Sequence, residues 1–372
     1  MARSARTAEA PRSNRALVRN MTGAAPVQAP AAPEVILEAR PAIDFLVSLM
    51  LDTDSELLPA DRAWYDASRA SLSDALRRDL AHMLGDEHQG KGVCGAIVPL
   101  VVENPAVRSA ADVVALAGRI GARELLGASG DSDQTKDAVA LGQRVLDGER
   151  ELRDEAVAAW PEEYRGGVGR FLDDPDGELR ALRRVLRAWR ERFEPIEGRV
   201  ARMEERDVAG RRADLGRLAL ADFVEQATGG VRWVPEPGTR RLYLIPSYFT
   251  RPYNYVFGGP GWHMFAYPLA ESALDGDADA VPAVSIRLFK ALGDESRLRI
   301  LRLLASGDLY LTEIAERIGL SKPTVSHHLA LLRAAGLVTI TEAGALTYYT
   351  LRRERIADAG VELARLLGEP TQ

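Results

Sequence analysis

Cysteine and long apolar runs are the scarcest features of this 372-residue sequence. Cys94 is the single cysteine, which excludes a disulfide within the chain and a metal site built from several thiolates of one chain. No apolar run reaches the roughly 18 residues that a membrane-spanning helix needs. The N-terminal stretch also lacks the apolar core of a secretory signal. These absences predict a cytoplasmic protein with no membrane partner.

Positive charge is scarce as well, since the formal net charge is −6 at pH 7. From Val284 to the C-terminus, however, 12 arginines and lysines stand against 10 acidic residues, so this part carries +2 and the rest −8. Proteins that bind nucleic acids need a cationic surface. We therefore expect any DNA binding in the C-terminal part, and its small charge favours a dimer that places two modules on one duplex.

Composition divides the chain into four parts. Residues 1–32 are rich in Ala, Pro, Ser and Arg and poor in large apolar side chains, which predicts a disordered arm. Residues 33–270 predict a helical N-terminal domain with an aromatic β segment at 231–269. The polar stretch 271–282 predicts a linker, and 283–372 predict a second domain. The predicted fold class is mainly α.

Periodicity predicts the elements of the N-terminal domain. Apolar residues at three- and four-residue spacing predict helices at Pro41–Leu51, Ala60–Leu84, Ala110–Leu126, Asp137–Trp160, Glu178–Phe193 and Val208–Ala227. Aromatic and β-branched residues predict strands at Val35–Ala39, Val231–Val234, Arg241–Ile245 and His263–Tyr267.

Local signals in the last domain predict a winged helix-turn-helix. Asp294 is placed to cap one helix and Thr312 the next, which Gly319 ends. Ser321 is placed to cap a third helix with Pro323 in its first turn. Two alternating segments that follow, around 338–341 and 346–351, predict the strands of a wing.

The third of these helices predicts the DNA-binding residues. Val325, Leu329 and Leu332 fall on one stripe that should face the core, while Pro323, His327, Ala330 and Ala334 point away from it. Outward residues at the start of such a helix can enter a major groove. The predicted DNA-binding set is Ser321, Lys322, Thr324, Ser326, His327, His328 and Arg333.

Three segments, FKALGDESRLRILRLLASG, LTEIAERIGLSKPTVSHHLALLRAAGLV and TYYTL, resemble the ArsR/SmtB family of bacterial repressors. The resemblance implies a homodimer whose recognition helices read successive major grooves of a near-palindromic operator. The sequence departs from the metal sensors of that family, because Leu309–Thr312 holds no cysteine and Arg353–Leu367 holds no histidine. We therefore expect no metal and no cofactor.

Other motifs give no chemistry of their own. His82, Asp86, His88 and Cys94 lie within thirteen positions, but their spacing fits no regular helical face, which favours a loop over a zinc site. The glycines at 258–261 lack the Lys-Ser/Thr ending of a phosphate loop and predict a turn. We predict that the chain is not an enzyme, the alternative being an enzyme fused to a DNA-binding module.

Nine of the 23 aromatic residues lie between Tyr243 and Tyr267. Such a density has two interpretations, a pocket for an uncharged or weakly polar organic molecule or the core of a small sheet. The first predicts ligand contacts from Tyr248, Tyr253, Tyr255, Trp262 and Tyr267. The predicted function is then a dimeric repressor that binds a double-stranded DNA operator under control of a small organic effector. The alternative is a constitutive DNA-binding regulator whose N-terminal domain is a dimerisation scaffold.

Overall fold

The structure is a computed structural model that describes residues 32–51, 57–84, 93–130, 135–275, 283–343 and 346–367. By their contacts these residues belong to one unit that begins at Ala32. The predicted arm up to residue 31, the predicted linker from residue 276 onward and the tip of the predicted wing lie outside the described residues.

The N-terminal region, residues 32–275, is mainly helical. It begins with a strand, β1 (Glu34–Leu37), and continues through α1 (Pro41–Leu49), α2 (Pro59–Ala70), α3 (Asp74–Leu84), α4 (Val93–Glu103), α5 (Ala110–Arg119), α6 (Ala122–Ala128), α7 (Lys136–Leu146), α8 (Arg153–Ala158), α9 (Glu162–Asp173), α10 (Pro175–Arg212) and α11 (Leu220–Thr228). Among the described residues, none of these helices combines the length and apolar composition required to cross a bilayer.

Helix α10 is the long axis on which this region packs, and it spans 38 residues. The carboxylate of Asp174 caps it by accepting from Gly177 N at 2.9 Å, and Pro175 occupies the first turn, where no N–H is needed. Its buried stripe includes Trp189, which packs against Tyr65 of α2, and Phe193, which packs against Phe45 of α1. The sequence predicted a helix only to Phe193, because Pro195 looked like a terminator.

A four-stranded sheet lies beside these helices with the order β1-β3-β5-β4, where β3 is Arg241–Ser247, β4 is Tyr255–Gly259 and β5 is Trp262–Pro268. β1, β3 and β5 are parallel, and β4 is antiparallel to β5. Both faces are covered, as parallel strands require. One face joins the main helical core, and the other packs on α11 through Phe223 and Val224.

The winged module, residues 283–367, follows. Its elements are α12 (Ala283–Leu292), α13 (Glu295–Leu304), β6 (Leu309–Tyr310), α14 (Leu311–Ile318), α15 (Lys322–Ala334), β7 (Val338–Ala343), β8 (Leu346–Leu351) and α16 (Arg353–Leu366). The predicted fold class, a mainly α chain with a C-terminal winged helix-turn-helix, is confirmed.

Most local signals of the winged module act as predicted. Asp294 caps α13 by accepting from Arg297 N at 2.9 Å, and Gly319 ends α14 in the left-handed conformation with φ of 78°. The predicted cap at Thr312 is wrong. α14 starts at Leu311, so its N-cap is Tyr310, two residues before the predicted cap, and the Glu313 carboxylate accepts from Tyr310 N at 2.9 Å.

The strand β2 (Val231–Val234) does not join the sheet that its sequence neighbours form. It pairs in parallel with wing strand β7, in the register Val231 to Ile340 and Val234 to Ala343. The resulting sheet has the order β2-β7-β8-β6. The sequence grouped 231–269 as one β segment of the N-terminal domain, and this pairing corrects that grouping at its first strand.

Several predicted elements differ in extent. The helix predicted over 60–84 breaks into α2 and α3. The one predicted over 110–126 breaks into α5 and α6, which are separated by Ile120 and Gly121. α4, α9, β4 and β6 were not predicted. The start of the predicted linker is structured, because the Glu271 carboxylate accepts hydrogen bonds from both Arg251 and Arg287.

Candidate nucleic-acid interface

The start of α15 presents small polar side chains to solvent. Ser321 caps the helix, and its Oγ accepts from Thr324 N at 3.3 Å. Ser321, Lys322, Thr324 and Ser326 are all exposed. We call Ser321–Ser326 the exposed half of α15. A helix start with several exposed hydrogen-bonding groups has the shape and chemistry to enter a major groove.

The inner side of α15 is fixed in the core of the winged module. Val325, Leu329 and Leu332 are fully buried, as the sequence predicted, in the cluster that also holds Ile300 and Ile314. Close-packed side chains of α13 and α14 therefore restrain α15, and they fix the angle at which its exposed half projects from the winged module.

The second half of α15, His327–Ala334, is anchored to the N-terminal region, and we call it the anchored half. Arg333 is only 3% exposed, and its guanidinium donates to Thr228 O at 2.7 Å and to Pro252 O at 2.6 Å. Arg333 is therefore not a surface cation, and its prediction as a DNA contact is wrong for this structure. Ala330, which the sequence placed outward, is 9% exposed.

His327 lies at the boundary between the two halves and is partly exposed. Its Nδ1 lies 2.8 Å from the hydroxyl oxygen of Tyr253, and the two ring centroids are 6.5 Å apart. Tyr253 precedes β4 in the N-terminal region. The sequence predicted Tyr253 as a ligand contact and His327 as a DNA contact, and no local pattern indicated that they meet.

His328 points toward the start of α13. Its Nδ1 is buried and makes no hydrogen bond to any described residue. Burial lowers the pKa of His328, while the charge of Asp294 acts in the opposite direction. This environment suits a packing role, and contact of His328 with DNA stays a prediction.

The pairing of β2 with β7 forms the second junction between the N-terminal region and the winged module. Ile340 N donates to Gly230 O at 2.7 Å. Gly230 has φ of 118°, and an added Cβ would lie 3.3 Å from Val338 O, so glycine is required there. Glu225 adds ionic contacts: it forms an ion pair with Arg232, whose Nε lies 2.8 Å from the carboxylate, and it accepts from Arg352 Nη2 at 3.0 Å.

Trp233 connects this junction to the other sheet. Its ring stacks on His263 of β5 with centroids 5.1 Å apart and an interplanar angle of 28°. Burial lowers the pKa of His263 to about 4, and its Nε2 has no hydrogen-bond partner among the described residues. The imidazole is thus neutral near pH 7 and packs as an apolar ring between the two sheets.

The five aromatic residues predicted to line one ligand pocket do not converge. Trp262 packs on the face of β5 toward the main helical core, and Tyr267 packs on the opposite face. Trp262 Nε1 donates to Glu103 at 2.7 Å, and the Tyr267 hydroxyl donates to Asp207 at 2.9 Å. The prediction of a single aromatic pocket is wrong, because Trp262 and Tyr267 lie on opposite faces of β5 and Tyr253 contacts the winged module.

Two of these phenols take part in buried polar contacts. The Tyr248 hydroxyl donates to the Asp61 carboxylate, which also accepts from Arg199. Burial is the largest cause that raises the pKa of Tyr248 and of Tyr267 above the ordinary value, so both phenols stay protonated and act as donors. Tyr255 is half-buried against the main helical core.

A cavity of about 640 Å³ lies instead at the end of β1, where the starts of α1 and α5 meet the last turns of α10. Its walls combine apolar side chains with the charged groups of Glu38, Arg108, Glu205 and Arg212. Arg108 donates to Glu38 at 3.0 Å and to Ala39 O at 2.8 Å, so one of the two guanidiniums is already engaged.

Two buried carboxyl groups, Asp44 on α1 and Glu204 on α10, lie close to each other in the N-terminal region. Asp44 accepts from Tyr248 N at 2.8 Å and from the Ser247 hydroxyl. Burial and the nearby Asp44 raise the pKa of Glu204, which is fully buried. Two such carboxyls favour sharing one proton, because both cannot ionise at low cost in a dry site.

Metal ligation gains no support from the described part of the chain. No group of three or more His, Cys, Asp or Glu side chains there could hold a metal ion. His82 is within hydrogen-bond distance of Glu178 on α10. Asp86 and His88 lie outside the described residues, as does the side chain of Cys94.

The flanking helices of the winged module expose apolar side chains. Ile356 and Leu363 on α16 are 38% and 45% exposed, Leu367 just after the helix is 69% exposed, and Ile286 on α12 is 41% exposed. The Ser285 hydroxyl donates to Glu362, which ties α12 to α16. The two helices therefore carry an apolar surface that nothing in the described chain covers.

Known proteins match the winged module. The sequence pattern of the bacterial regulatory proteins of the arsR family matches residues 294–339. The transcriptional repressor SdpR of Bacillus subtilis is 39% identical over 72 residues, which are 19% of this chain and 80% of SdpR. The HTH-type transcriptional regulator CmtR of Mycobacterium tuberculosis is 43% identical over 86 residues, 23% of this chain and 67% of CmtR.

Among solved structures, HlyU from Vibrio cholerae is 38% identical, with a TM-score of 0.19 over 23% of this chain and 91% of HlyU. The arsR pattern begins at Asp294 and therefore leaves the N-terminal region outside its match.

Proposed function

The chain belongs to the arsR family of bacterial regulatory proteins, and on that premise we propose that it is a sequence-specific, DNA-binding transcriptional repressor. The observation that carries the proposal is the exposed half of α15, which stands above a fully packed helix-turn-helix core. We place its action in the cytoplasm, on a double-stranded operator, and assign it no catalytic step.

The exposed half offers two kinds of contact. Thr324 and Ser326 carry hydroxyl groups that both donate and accept, which suits base edges in the major groove. Lys322 carries the one ammonium group of the first turn, which suits a phosphate. Base contacts should set sequence preference, and the phosphate contact should add affinity on every sequence.

Binding to selected DNA tests this assignment. A duplex enriched by the full chain from a random pool should bind more tightly than an unselected duplex in fluorescence anisotropy. Lys322→Ala should weaken binding to both duplexes about three- to tenfold and reduce the salt slope by about one. Lys136→Ala, which removes an exposed lysine on α7 of the N-terminal region, is the matched control. Failure to enrich any duplex would overturn the proposal.

We further propose that the repressor is a homodimer joined through α12 and α16. Their exposed apolar side chains support this, and the charge of +2 on the C-terminal part gives one module few phosphate contacts. Leu363→Glu should lower both the sedimenting mass and the DNA affinity. Ala357→Glu adds the same charge about 120° away around the helix and should leave both unchanged. A wild-type monomer with full DNA affinity would contradict the dimer.

Control by a small organic effector is the remaining part of the proposal. The contacts of the N-terminal region with α15 and β7 support it, since a ligand that favours one arrangement of these contacts would change DNA affinity. With the aromatic residues dispersed, the cavity at the end of β1 is the better location. Its four charged groups favour a polar molecule over the uncharged one that the sequence suggested.

The constitutive regulator, with the N-terminal region as scaffold, is the competing function. A screen of polar metabolites by thermal shift, followed by release from the enriched duplex, separates the two. Arg212→Ala should remove the response to any such compound, whereas Arg180→Ala, which is exposed at the far end of α10, should not. A screen without a single DNA-releasing compound favours the scaffold.

A further inference from the structure

The contact between Tyr253 and His327 joins the N-terminal region to the DNA-facing side of α15, and this inference rests on the proposed function. His327 is the residue where the exposed half ends and the anchored half begins. Its imidazole is partly exposed, whereas Arg333, six residues later, is buried under the N-terminal region. Any residue that fixes this imidazole therefore acts at the edge of the DNA-facing surface.

Tyr253 belongs to a well-anchored loop. Tyr253 N donates to Thr250 O at 2.7 Å, and the Thr250 hydroxyl donates to Ser247 O at 3.2 Å. Asn254 Nδ2 donates to Thr228 O at 3.1 Å. The loop is also tied to α15 itself, because Arg333 donates to Pro252 O at 2.6 Å.

Two adjacent loop residues thus hold α15 at two points. Pro252 O accepts from Arg333, and the Tyr253 hydroxyl pairs with His327. These helix positions are six residues apart, a rise of roughly 9 Å. Two anchors at that separation fix the loop along the helix, so the backbone at Tyr253 cannot shift along α15 without breaking the contact of Arg333 with Pro252 O.

We propose that Tyr253 is a positioning residue of the DNA-reading surface, which acts by holding the imidazole of His327 in the orientation that reads a base step. A phenol that donates to Nδ1 selects the neutral tautomer with its proton on Nε2, so the ring carries a donor on its other edge. A donor there matches the acceptors of a purine in the major groove. Restricting the ring before binding also lowers the entropy lost when the complex forms.

The alternative is a blocking role, in which the loop keeps DNA away from α15. The exposure of the helix argues against it. Ser321, Lys322, Thr324 and Ser326 are all exposed in the presence of the loop. The loop therefore contacts one flank of the DNA-facing side and leaves the start of the helix open.

Tyr253→Phe tests the proposal, because it removes one oxygen and keeps the ring. The full chain would be measured on the enriched duplex and on its single-base-pair variants by fluorescence anisotropy. We expect a three- to tenfold loss of discrimination at one base step, with binding to an unselected duplex within twofold of wild type. Tyr255→Phe, whose ring packs on the main helical core, is the matched control and should leave the profile unchanged.

A double-mutant cycle identifies the route of the effect. His327→Ala should lose discrimination at the same base step, and Tyr253→Phe should add nothing in the His327→Ala background. Additive effects, an unchanged profile, or equal weakening on every duplex would overturn the positioning role. Tighter binding of Tyr253→Phe to every duplex would establish the blocking role instead. If the wild type enriches no duplex, the proposed function fails and this inference fails with it.

Discussion

The exposed and anchored halves of α15 belong to one helix of 13 residues but meet different surroundings. The first half carries Lys322, Thr324 and Ser326 into solvent, while the second places Arg333 and Ala330 inside the protein. The difference shows that a recognition helix in this chain is shared between two tasks. Its start is available to DNA, and its end is a structural connection to the N-terminal region.

Arg333 makes the difference clear, because an arginine on a DNA-binding helix normally suggests a phosphate contact. Here its guanidinium bridges two carbonyls, at Thr228 and Pro252. A buried charge is stabilised only when its donors are satisfied, and these carbonyls provide that. Substitutions in each half can therefore test whether the anchored half contributes to stability and the exposed half does not.

Arg333→Met should give the largest effect on stability. It removes two charge-assisted hydrogen bonds, leaving Pro252 O without this donor and Thr228 O with Asn254 alone, while keeping much of the side-chain volume. We expect the free energy of unfolding to fall by about 3–5 kcal/mol. Arg317→Met, at an exposed arginine of α14, should change it by less than about 0.5 kcal/mol. Urea unfolding of both variants checks the prediction. If both variants lose equally little free energy of unfolding, the contacts of Arg333 with the N-terminal region do not stabilise the protein.

The pH dependence of stability should show the second largest effect, through His263. Burial lowers the pKa of this imidazole from 6.5 to about 4 in the folded protein. Between these two pH values the imidazole binds a proton in the unfolded chain but stays neutral in the folded protein. The free energy of unfolding should therefore be unaffected by this group above pH 6.5 and should decrease as the pH falls toward 4. The maximum loss is about 3 kcal/mol.

Comparison with His263→Gln isolates this contribution from the buried carboxyls Asp44 and Glu204, whose raised pKa values act in the opposite direction. Between pH 7 and pH 4.5 the wild type should lose more stability in urea than the variant. A variant whose stability falls as steeply as that of the wild type would show that the ring beside Trp233 is not held neutral.

Ala330→Leu should give the smallest of the three effects. The position is 9% exposed and lies between the two anchors, so three added carbons would overpack it at a cost of about 1–3 kcal/mol. Ser326→Leu, in the exposed half, should leave the unfolding midpoint within experimental error and weaken only DNA binding. If Ala330→Leu is as stable as wild type, the anchored half is open to solvent.

Sequence signals gave the winged module almost completely, because they act over a few residues. The caps at Asp294 and Ser321, the stop at Gly319 and the stripe through Val325 each depend on neighbours within one or two turns. Periodicity also located the inner face of α15 correctly. It could not locate the outer face, since the surface that covers Arg333 comes from residues some 80 to 105 positions earlier.

The N-terminal region was less predictable for the same physical reason. Val231–Val234 was recognised as a strand, but its partner β7 lies more than 100 residues later, and strand composition does not specify a partner. The aromatic residues of β5 alternate between two faces, so their density along the sequence did not make a common pocket. Tyr253 was noted as an aromatic residue, but its contact with His327 depends entirely on tertiary packing.

Hydrogen exchange of the full chain, with and without the enriched duplex, tests the division of α15 most directly. The account predicts that DNA slows exchange in the exposed half, at 321–326, while amides at 231–234 and 330–341 are already protected in the free protein and change little. Rapid exchange of 231–234 in the free protein, or protection by DNA confined to 330–334, would contradict it.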